Sequence, residues 1–105
     1  MAPASLSIEG QIITGLASLH MSRKEFVGIC TALSVPISES LVSLALSGKR
    51  AFSQWTGIAL LSVMKECQAL RDHHGVALRW DSNEIATLLV QRRMQLTQQE
   101  TIGAR

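Results

Sequence analysis

Apolar residues recur along most of the chain with the spacing of an amphipathic α-helix, in blocks separated by Pro, Gly and Ser. Residues 76–80 differ, because apolar and polar side chains alternate there, which predicts a short extended segment. The first helical block begins at about Ser7, and the others begin at or just after these candidate N-caps: Ser22, Ser38, Ser53, and Asp81 or Ser82. The sequence therefore predicts an all-α fold, whose last helix ends near Gln98 and is followed by a frayed tail.

Local signals place several of the helix boundaries. Ser22 and Glu25 have the spacing of a capping box at the start of the second helix. Pro36 disfavours the helical conformation of the residue before it, which predicts that this helix runs to residue 35. Gly48 has the position of a left-handed C-cap after the short third helix, and Gly75 ends the long fourth helix.

Length and composition limit the chain to one small domain with a packed core. It has 105 residues, of which 47% are hydrophobic and 17% charged. Aromatic residues are scarce, so we expect an aliphatic core that also takes in Trp55 and Trp80. The formal net charge of +2 permits a nucleic-acid partner but does not require one.

Targeting and cysteine patterns predict a cytoplasmic protein. No Lys or Arg precedes an apolar stretch in the first seven residues, which argues against a secretory signal. No apolar run approaches the roughly 20 residues that cross a bilayer. Cys30 and Cys67 each fall within a helical apolar pattern, so we interpret them as buried free thiols in a reducing compartment.

Catalytic and metal-binding patterns are missing from the sequence. His73 and His74 lie two helical turns from Cys67, which is not the paired short spacing of a structural zinc site. We interpret the two histidines as residues at a helix C-terminus, where the dipole favours positive charge. The chain has no Gly-rich phosphate loop and no nucleophile motif, and its acidic residues are scattered. We therefore predict no enzyme activity, no metal and no cofactor.

Three features occur together between Ser22 and Leu70: a capped helix, a short Ser-capped helix ending in Gly-Lys-Arg, and an aliphatic helix that starts at Ser53. This half of the chain resembles the helix-turn-helix core of the lambda-repressor-like family, the XRE/Cro type of phage and bacterial regulators. The resemblance implies a helix-turn-helix domain over residues 1–80 and a candidate dimerisation helix with a frayed tail over residues 81–105. It also implies that Ala32 is the small residue at which the supporting helix crosses the recognition helix.

The resemblance implies double-stranded DNA as the partner and residues 38–50 as the recognition helix with its exit turn. Glu39 would accept a hydrogen bond from cytosine N4, and Leu44 would contact a thymine methyl group. Lys49 and Arg50 would bind phosphate without reading sequence. The full set of implied DNA contacts is Arg23, Lys24, Ser38, Glu39, Ser40, Ser43, Leu44, Ser47, Lys49 and Arg50.

One such module binds DNA weakly, so the resemblance implies a homodimer on two half-sites of an operator. The candidate dimer surface is the apolar stripe of the last helix, which could equally close the domain's own core: Ile85, Leu88, Leu89 and Leu96. The predicted function is that of a sequence-specific transcriptional regulator of phage or bacterial type, which blocks or assists polymerase at its operator.

Two other interpretations remain open, because residues 38–47 contain no Arg, Gln or Asn, the side chains that make bidentate contacts to purine bases. One is a protein-interaction module on the same scaffold, such as a phage-encoded inhibitor or an antitoxin, with Leu41 and Leu44 meeting a protein partner. The other is a subunit of a larger assembly with no nucleic-acid role.

Overall fold

The part of the chain that the structure describes forms five helices, which confirms the all-α prediction. They are α1 Ile8–Leu19, α2 Arg23–Ala32, α3 Glu39–Leu46, α4 Gln54–His74 and α5 Ser82–Gly103. The computed structural model describes residues 7–103, with side-chain burial given for residues 7–97. Within residues 7–103 no strand is present.

Each helix begins at a side chain that caps its first turn. An oxygen of the capping residue accepts a hydrogen bond from the backbone N–H three residues later, at Ser7, Ser22, Ser38, Ser53 and Asp81. At Ser22 the capping box is complete, because Glu25 Oε1 accepts from the Ser22 N–H at 2.9 Å. The starts predicted from the sequence are therefore confirmed.

The end of α2 differs from the prediction. The helix stops at Ala32 rather than at residue 35, because Ser34 adopts a left-handed conformation with φ of 65°. The Val35 N–H then donates to the Cys30 carbonyl at 2.9 Å and closes a Schellman motif. Pro36 follows a helix that has already ended, so the chain leaves α2 earlier than the proline by itself indicates.

Two predictions in the last third of the chain were also wrong. Residues 76 and 77 form a turn, since the Leu78 N–H donates to the Gly75 carbonyl at 3.2 Å, and residues 78–80 belong to no strand. Helix α5 continues to Gly103, past the predicted end at Gln98. The last two residues of the predicted frayed tail, 104 and 105, lie outside the described residues.

A single aliphatic core joins the five helices. Helix α1 packs mainly on α4, and α2 packs on α3 and α5. Gly15 lies where α1 approaches α4, and a Cβ there would lie 2.5 Å from Met64 Sδ. The close packing explains why a glycine that weakens α1 stands at this position. The fully buried large side chains are Ile12, Phe26, Ile29, Leu60 and Ile85 with Leu89, Val42 and Val63.

The two tryptophans have opposite surroundings. Trp80 is 7% exposed and its Nε1–H donates to the Leu19 carbonyl at 2.8 Å, which fastens the link between α4 and α5 to the end of α1. Trp55 is 81% exposed. The prediction that both belong to the core is confirmed for Trp80 and wrong for Trp55.

Both cysteines lie in the core of the domain. Cys30 and Cys67 are free and buried, as expected from their apolar pattern. None of the helices formed by the described residues is both long enough and apolar enough to span a bilayer.

Candidate nucleic-acid interface

Helix α2 provides the fixed support for the predicted recognition helix. Its capped first turn carries Arg23 and Lys24 on the surface, both exposed. Its opposite side is anchored in the core by Phe26, Ile29 and Cys30, each with no exposed surface. The two cations are therefore presented from a rigid helix end.

A six-residue connection separates α2 from α3, whose own orientation is set by two buried residues. Val42 is 0% and Ala45 is 1% exposed, and both belong to the common core. They lie three residues apart and so share one face of α3. The other face is left to solvent and carries the four exposed side chains Glu39, Ser40, Ser43 and Leu44.

The outward face of α3 and the start of α2 line one shallow, open groove. Its lining consists of five of the residues assigned to DNA by the resemblance: Arg23, Glu39, Ser40, Ser43 and Leu44. The groove thus combines a guanidinium, a carboxylate, two hydroxyls and one apolar side chain. The tertiary packing of α2 on α3 brings Arg23 to residues that are at least 16 positions away in the sequence.

Two of the serines assigned to DNA have hydroxyls that also serve the helix. Ser38 Oγ accepts a hydrogen bond from the Leu41 N–H at 3.2 Å and caps the N-terminus of α3. Ser47 Oγ donates to the Leu44 carbonyl at 3.1 Å at the other end. Both serines are exposed, and each hydroxyl already forms a hydrogen bond to the backbone at one end of α3.

A glycine in the left-handed conformation closes the exit turn from α3. Gly48 has φ of 82° and donates to the Ala45 carbonyl, while the Lys49 N–H donates to the Leu44 carbonyl at 3.0 Å. This is a Schellman motif, and its left-handed residue is best filled by glycine. The side chains of Lys49 and Arg50 are exposed on this turn, as predicted for phosphate contacts.

The cations around α3 are not neutralised by carboxylates. Within the described part of the chain the one ion pair joins Arg93 and Glu66, on α5 and α4. Arg23, Lys24, Lys49 and Arg50 are exposed and have no acidic partner among these residues. Their charge is therefore available to an external anion.

Ala32 does not have the role that the resemblance implies. It is exposed at the end of α2 and borders a shallow groove with α5 residues, among them Asn83 and Val90. A buried small residue at the crossing of α2 with α3 is therefore not found at this position.

The apolar stripe of the last helix is mostly internal. Ile85 and Leu89 have no exposed surface and belong to the domain's own core, and Leu88 is half-buried against it. Only Leu96 of the four is exposed, at 46%. The stripe closes the core because α5 packs on α2 and α4, so Ile85 and Leu89 are not available to a second copy. Between residues 82 and 97, the large exposed apolar side chains of α5 are Val90, Met94 and Leu96.

Sequence reasoning missed the exposed position of Trp55. The buried residues of α4 follow the line of Gly57, Leu60 and Met64. At 100° per residue, Trp55 lies roughly 140° around the helix from Leu60. This angle from the buried residues is the sequence signal that indicates an exposed Trp55. The same signal indicates exposure of Ile58, which is 48% exposed.

The two histidines near the end of α4 lie on the surface, whereas Cys67 lies in the core. His73 and His74 are exposed and their rings meet edge to face, with centroids 4.9 Å apart. Cys67 is buried in the core. Among the described residues, no three His, Cys, Asp or Glu side chains are grouped as metal ligands.

Comparisons of the chain with protein-family models, with curated proteins and with solved structures give no match. Any functional assignment therefore depends on the geometry and chemistry of the chain's own residues.

Proposed function

We propose that this protein is a DNA-binding regulator that inserts α3 into the major groove of duplex DNA. The observation that carries the proposal is the open groove in which Arg23 meets the outward face of α3. An exposed helix held from behind by Val42 and Ala45 has the form of an element that enters a groove. The cationic residues at both sides of it supply the attraction to phosphate.

Base contacts would come from the outward face of α3. Glu39 and Ser40 lie in its first turn, the part of a recognition helix that reaches base edges first. A carboxylate is repelled by phosphate but accepts a hydrogen bond from cytosine N4, so Glu39 favours a C·G pair. Leu44 is 40% exposed in the same groove and offers an apolar contact to a thymine methyl group.

Phosphate contacts would come from the cations on either side of that face. Arg23 and Lys24 stand at the start of α2, and Lys49 and Arg50 stand on the exit turn of α3. About four such contacts give a modest, salt-sensitive attraction per protomer. Because a single module with this few contacts binds weakly, the proposal includes a homodimer on two half-sites.

The second copy is proposed to pair through the end of α5. Residues 93–97 are all exposed, and Arg93 still joins this part of the helix to α4 through its ion pair with Glu66. Most of the stability of a helix in a protein comes from packing of its apolar face. A second copy that covers Val90 and Met94, which lie four residues apart on one face of α5, would supply such packing.

Fluorescence anisotropy of a labelled generic duplex tests the DNA proposal directly. We expect binding at low salt that weakens steeply as the salt concentration rises. Absence of binding even at low salt would reject the proposal. The alternative function would then gain support: a protein-interaction module, favoured by the acidic Glu39 and apolar Leu44 on the outward face of α3.

Replacing both Lys49 and Arg50 by Ala is expected to weaken binding by about the same factor for every duplex sequence, because phosphate contacts carry no sequence information. Loss of two phosphate contacts should reduce the slope of log K against log salt by about 1.8. Anisotropy titrations at several salt concentrations measure both quantities.

The matched control is the double variant Lys65→Ala and Arg79→Ala, which removes the same charge from two other exposed positions. It should retain nearly the full salt slope. Glu39→Gln gives the opposite kind of change: altered preference among sequences with little change in slope. Equal effects of the two double variants would mean that net charge, and not the exit turn, binds DNA.

Met94→Glu is expected to shift the protein from dimer to monomer, since it places a charge in the proposed contact between α5 helices. We expect self-association to weaken at least tenfold, roughly 1.4 kcal/mol or more. Sedimentation measurements over a range of protein concentrations test this, with Gln95→Glu as the matched control at the neighbouring exposed position. A wild-type protein that stays monomeric throughout would reject the dimer.

A further inference from the structure

Trp55 is an exposed tryptophan at the start of α4, in a chain that has only two. Its exposed fraction is 81%, against 7% for Trp80. Ile58 lies three residues later and is 48% exposed, so the two side chains are neighbours on the helix surface. Large exposed aromatic side chains commonly anchor contacts with a partner.

The backbone that carries Trp55 is held by the burial of Phe52 and by hydrogen bonds around the start of α4. Phe52 is 8% exposed and its N–H donates to Glu9 Oε2 of α1 at 3.0 Å. Ser53 Oγ accepts from the Thr56 N–H at 3.2 Å and donates to Thr56 Oγ1 at 2.9 Å. The first turn of α4 is therefore fixed relative to α1, and the indole is presented from a rigid position.

The surroundings of Trp55 in the chain are positive. Lys49 and Arg50 are exposed on the preceding turn and have no acidic partner among the described residues. The first turn of α4 contains no acidic residue. Glu9 of α1 accepts a hydrogen bond from the Phe52 N–H, so two exposed cations stand against the one carboxylate that the structure shows bound to this connection. Charge complementarity therefore favours an anionic occupant over a neutral or basic one.

We propose that Trp55 extends the DNA interface beyond α3, with its indole packed against the sugar–phosphate backbone next to the phosphates that Lys49 and Arg50 bind. The inference rests on the proposed function. The exit turn connects the outward face of α3 to Trp55 within 11 residues, from Leu44 to Trp55. The indole offers an apolar face to deoxyribose and an Nε1–H that donates to a phosphate oxygen. Such contacts position the protein without reading sequence.

The two tryptophans allow a direct test by acrylamide quenching of intrinsic fluorescence. The signal of Trp80 is obtained from the variant Trp55→Phe, and the difference from wild type gives Trp55. In free protein we expect Trp55 to be strongly quenched and Trp80 to be protected. On saturation with a duplex at low salt, quenching of Trp55 should fall at least threefold while that of Trp80 stays unchanged.

Affinity gives a second readout. Trp55→Ala should weaken duplex binding about tenfold, by a similar factor for different sequences. Val76→Ala is the matched control, because Val76 is 84% exposed and lies beyond the other end of α4, about 30 Å along the helix. Its affinity should equal that of wild type.

The outcomes separate this inference from the proposed function. If the duplex binds with a steep salt dependence but Trp55 stays fully quenched, the inference is overturned while the DNA proposal stands. If no duplex binds, the DNA proposal fails and this inference fails with it. If Trp55 becomes protected in free protein as its concentration rises, a second copy covers the indole, and the assignment to DNA is rejected.

Discussion

Trp80→Ala is expected to lower the free energy of unfolding by about 3–5 kcal/mol, the range for removal of a large buried aromatic side chain. Trp80 is 7% exposed, and its Nε1–H donates to the Leu19 carbonyl at 2.8 Å. The same carbonyl accepts from Arg71 Nη1 at 3.0 Å. The substitution thus leaves a cavity and removes one of the two side-chain hydrogen bonds that join the end of α1 to α4 and α5.

Trp55→Ala provides the matched control for this prediction, since it makes the same chemical change at an exposed site. We expect its effect on stability to stay within about 0.5 kcal/mol. Trp80→Phe keeps most of the apolar volume and loses the hydrogen bond, so it should cost about 1–3 kcal/mol. Urea denaturation followed by circular dichroism measures all three variants. Equal losses for the two Ala variants would contradict the burial of Trp80.

Cys30 and Cys67 are expected to resist thiol reagents until the protein unfolds. Burial raises the pKa of the Cys30 thiol from 9.0 to about 12, with a further contribution from nearby Cys67. Burial raises the pKa of Cys67 to about 12 as well, assisted by the charge of Glu66. A difference of three pKa units lowers the thiolate fraction at pH 8 about 1,000-fold relative to the unfolded chain.

Labelling with Ellman's reagent tests the protection of the thiols. In urea both cysteines should react at once, whereas in the native protein the rate should fall by about 1,000-fold or more, to the rate of opening. Burial also keeps the reagent from the sulfur atoms, so the effect exceeds that of the pKa alone. Rapid labelling of native protein would show that the core around the two thiols opens readily.

The raised pKa values also set a direction for stability against pH. Below pH 9 both thiols are protonated in the folded and unfolded states, and they contribute no pH dependence. Between pH 9 and about 12 the unfolded chain releases protons that the folded protein retains, so stability falls as pH rises. Each thiol accounts for at most about 1.4 kcal/mol per pH unit in this window. A Cys30→Ala, Cys67→Ala variant should show a shallower decline.

Helix positions were largely predictable because their signals are local. A Ser at an N-cap bonds a backbone N–H three residues away, so Ser22 and Ser38 place the starts of α2 and α3 whatever the rest of the chain does. Gly48 acts in the same way at the end of α3. The end of α2 was missed because a serine, Ser34, took the left-handed position that glycine usually fills.

The candidate site was only partly predictable. The exposure of Glu39 and Ser40 and the cationic turn follow from their positions beside a cap and a C-terminal glycine. Their position in one groove with Arg23 does not follow from the sequence, because it depends on how α2 packs against α3. The exposure of Trp55 was not predicted for a related reason. The residue lies in an apolar run, but on the side of α4 away from the buried residues.

Capped helices around an aliphatic core follow from local signals, because propensity, capping and periodicity act within one or two turns of the chain. Which apolar face each helix buries depends on the packing of the helices against one another. Ile85 and Leu89 could have met a second copy or the chain's own core, and the packing of α5 on α2 chose the core. A helix with several apolar faces buries the one that another helix covers, and that choice is set by contacts between residues far apart in the sequence.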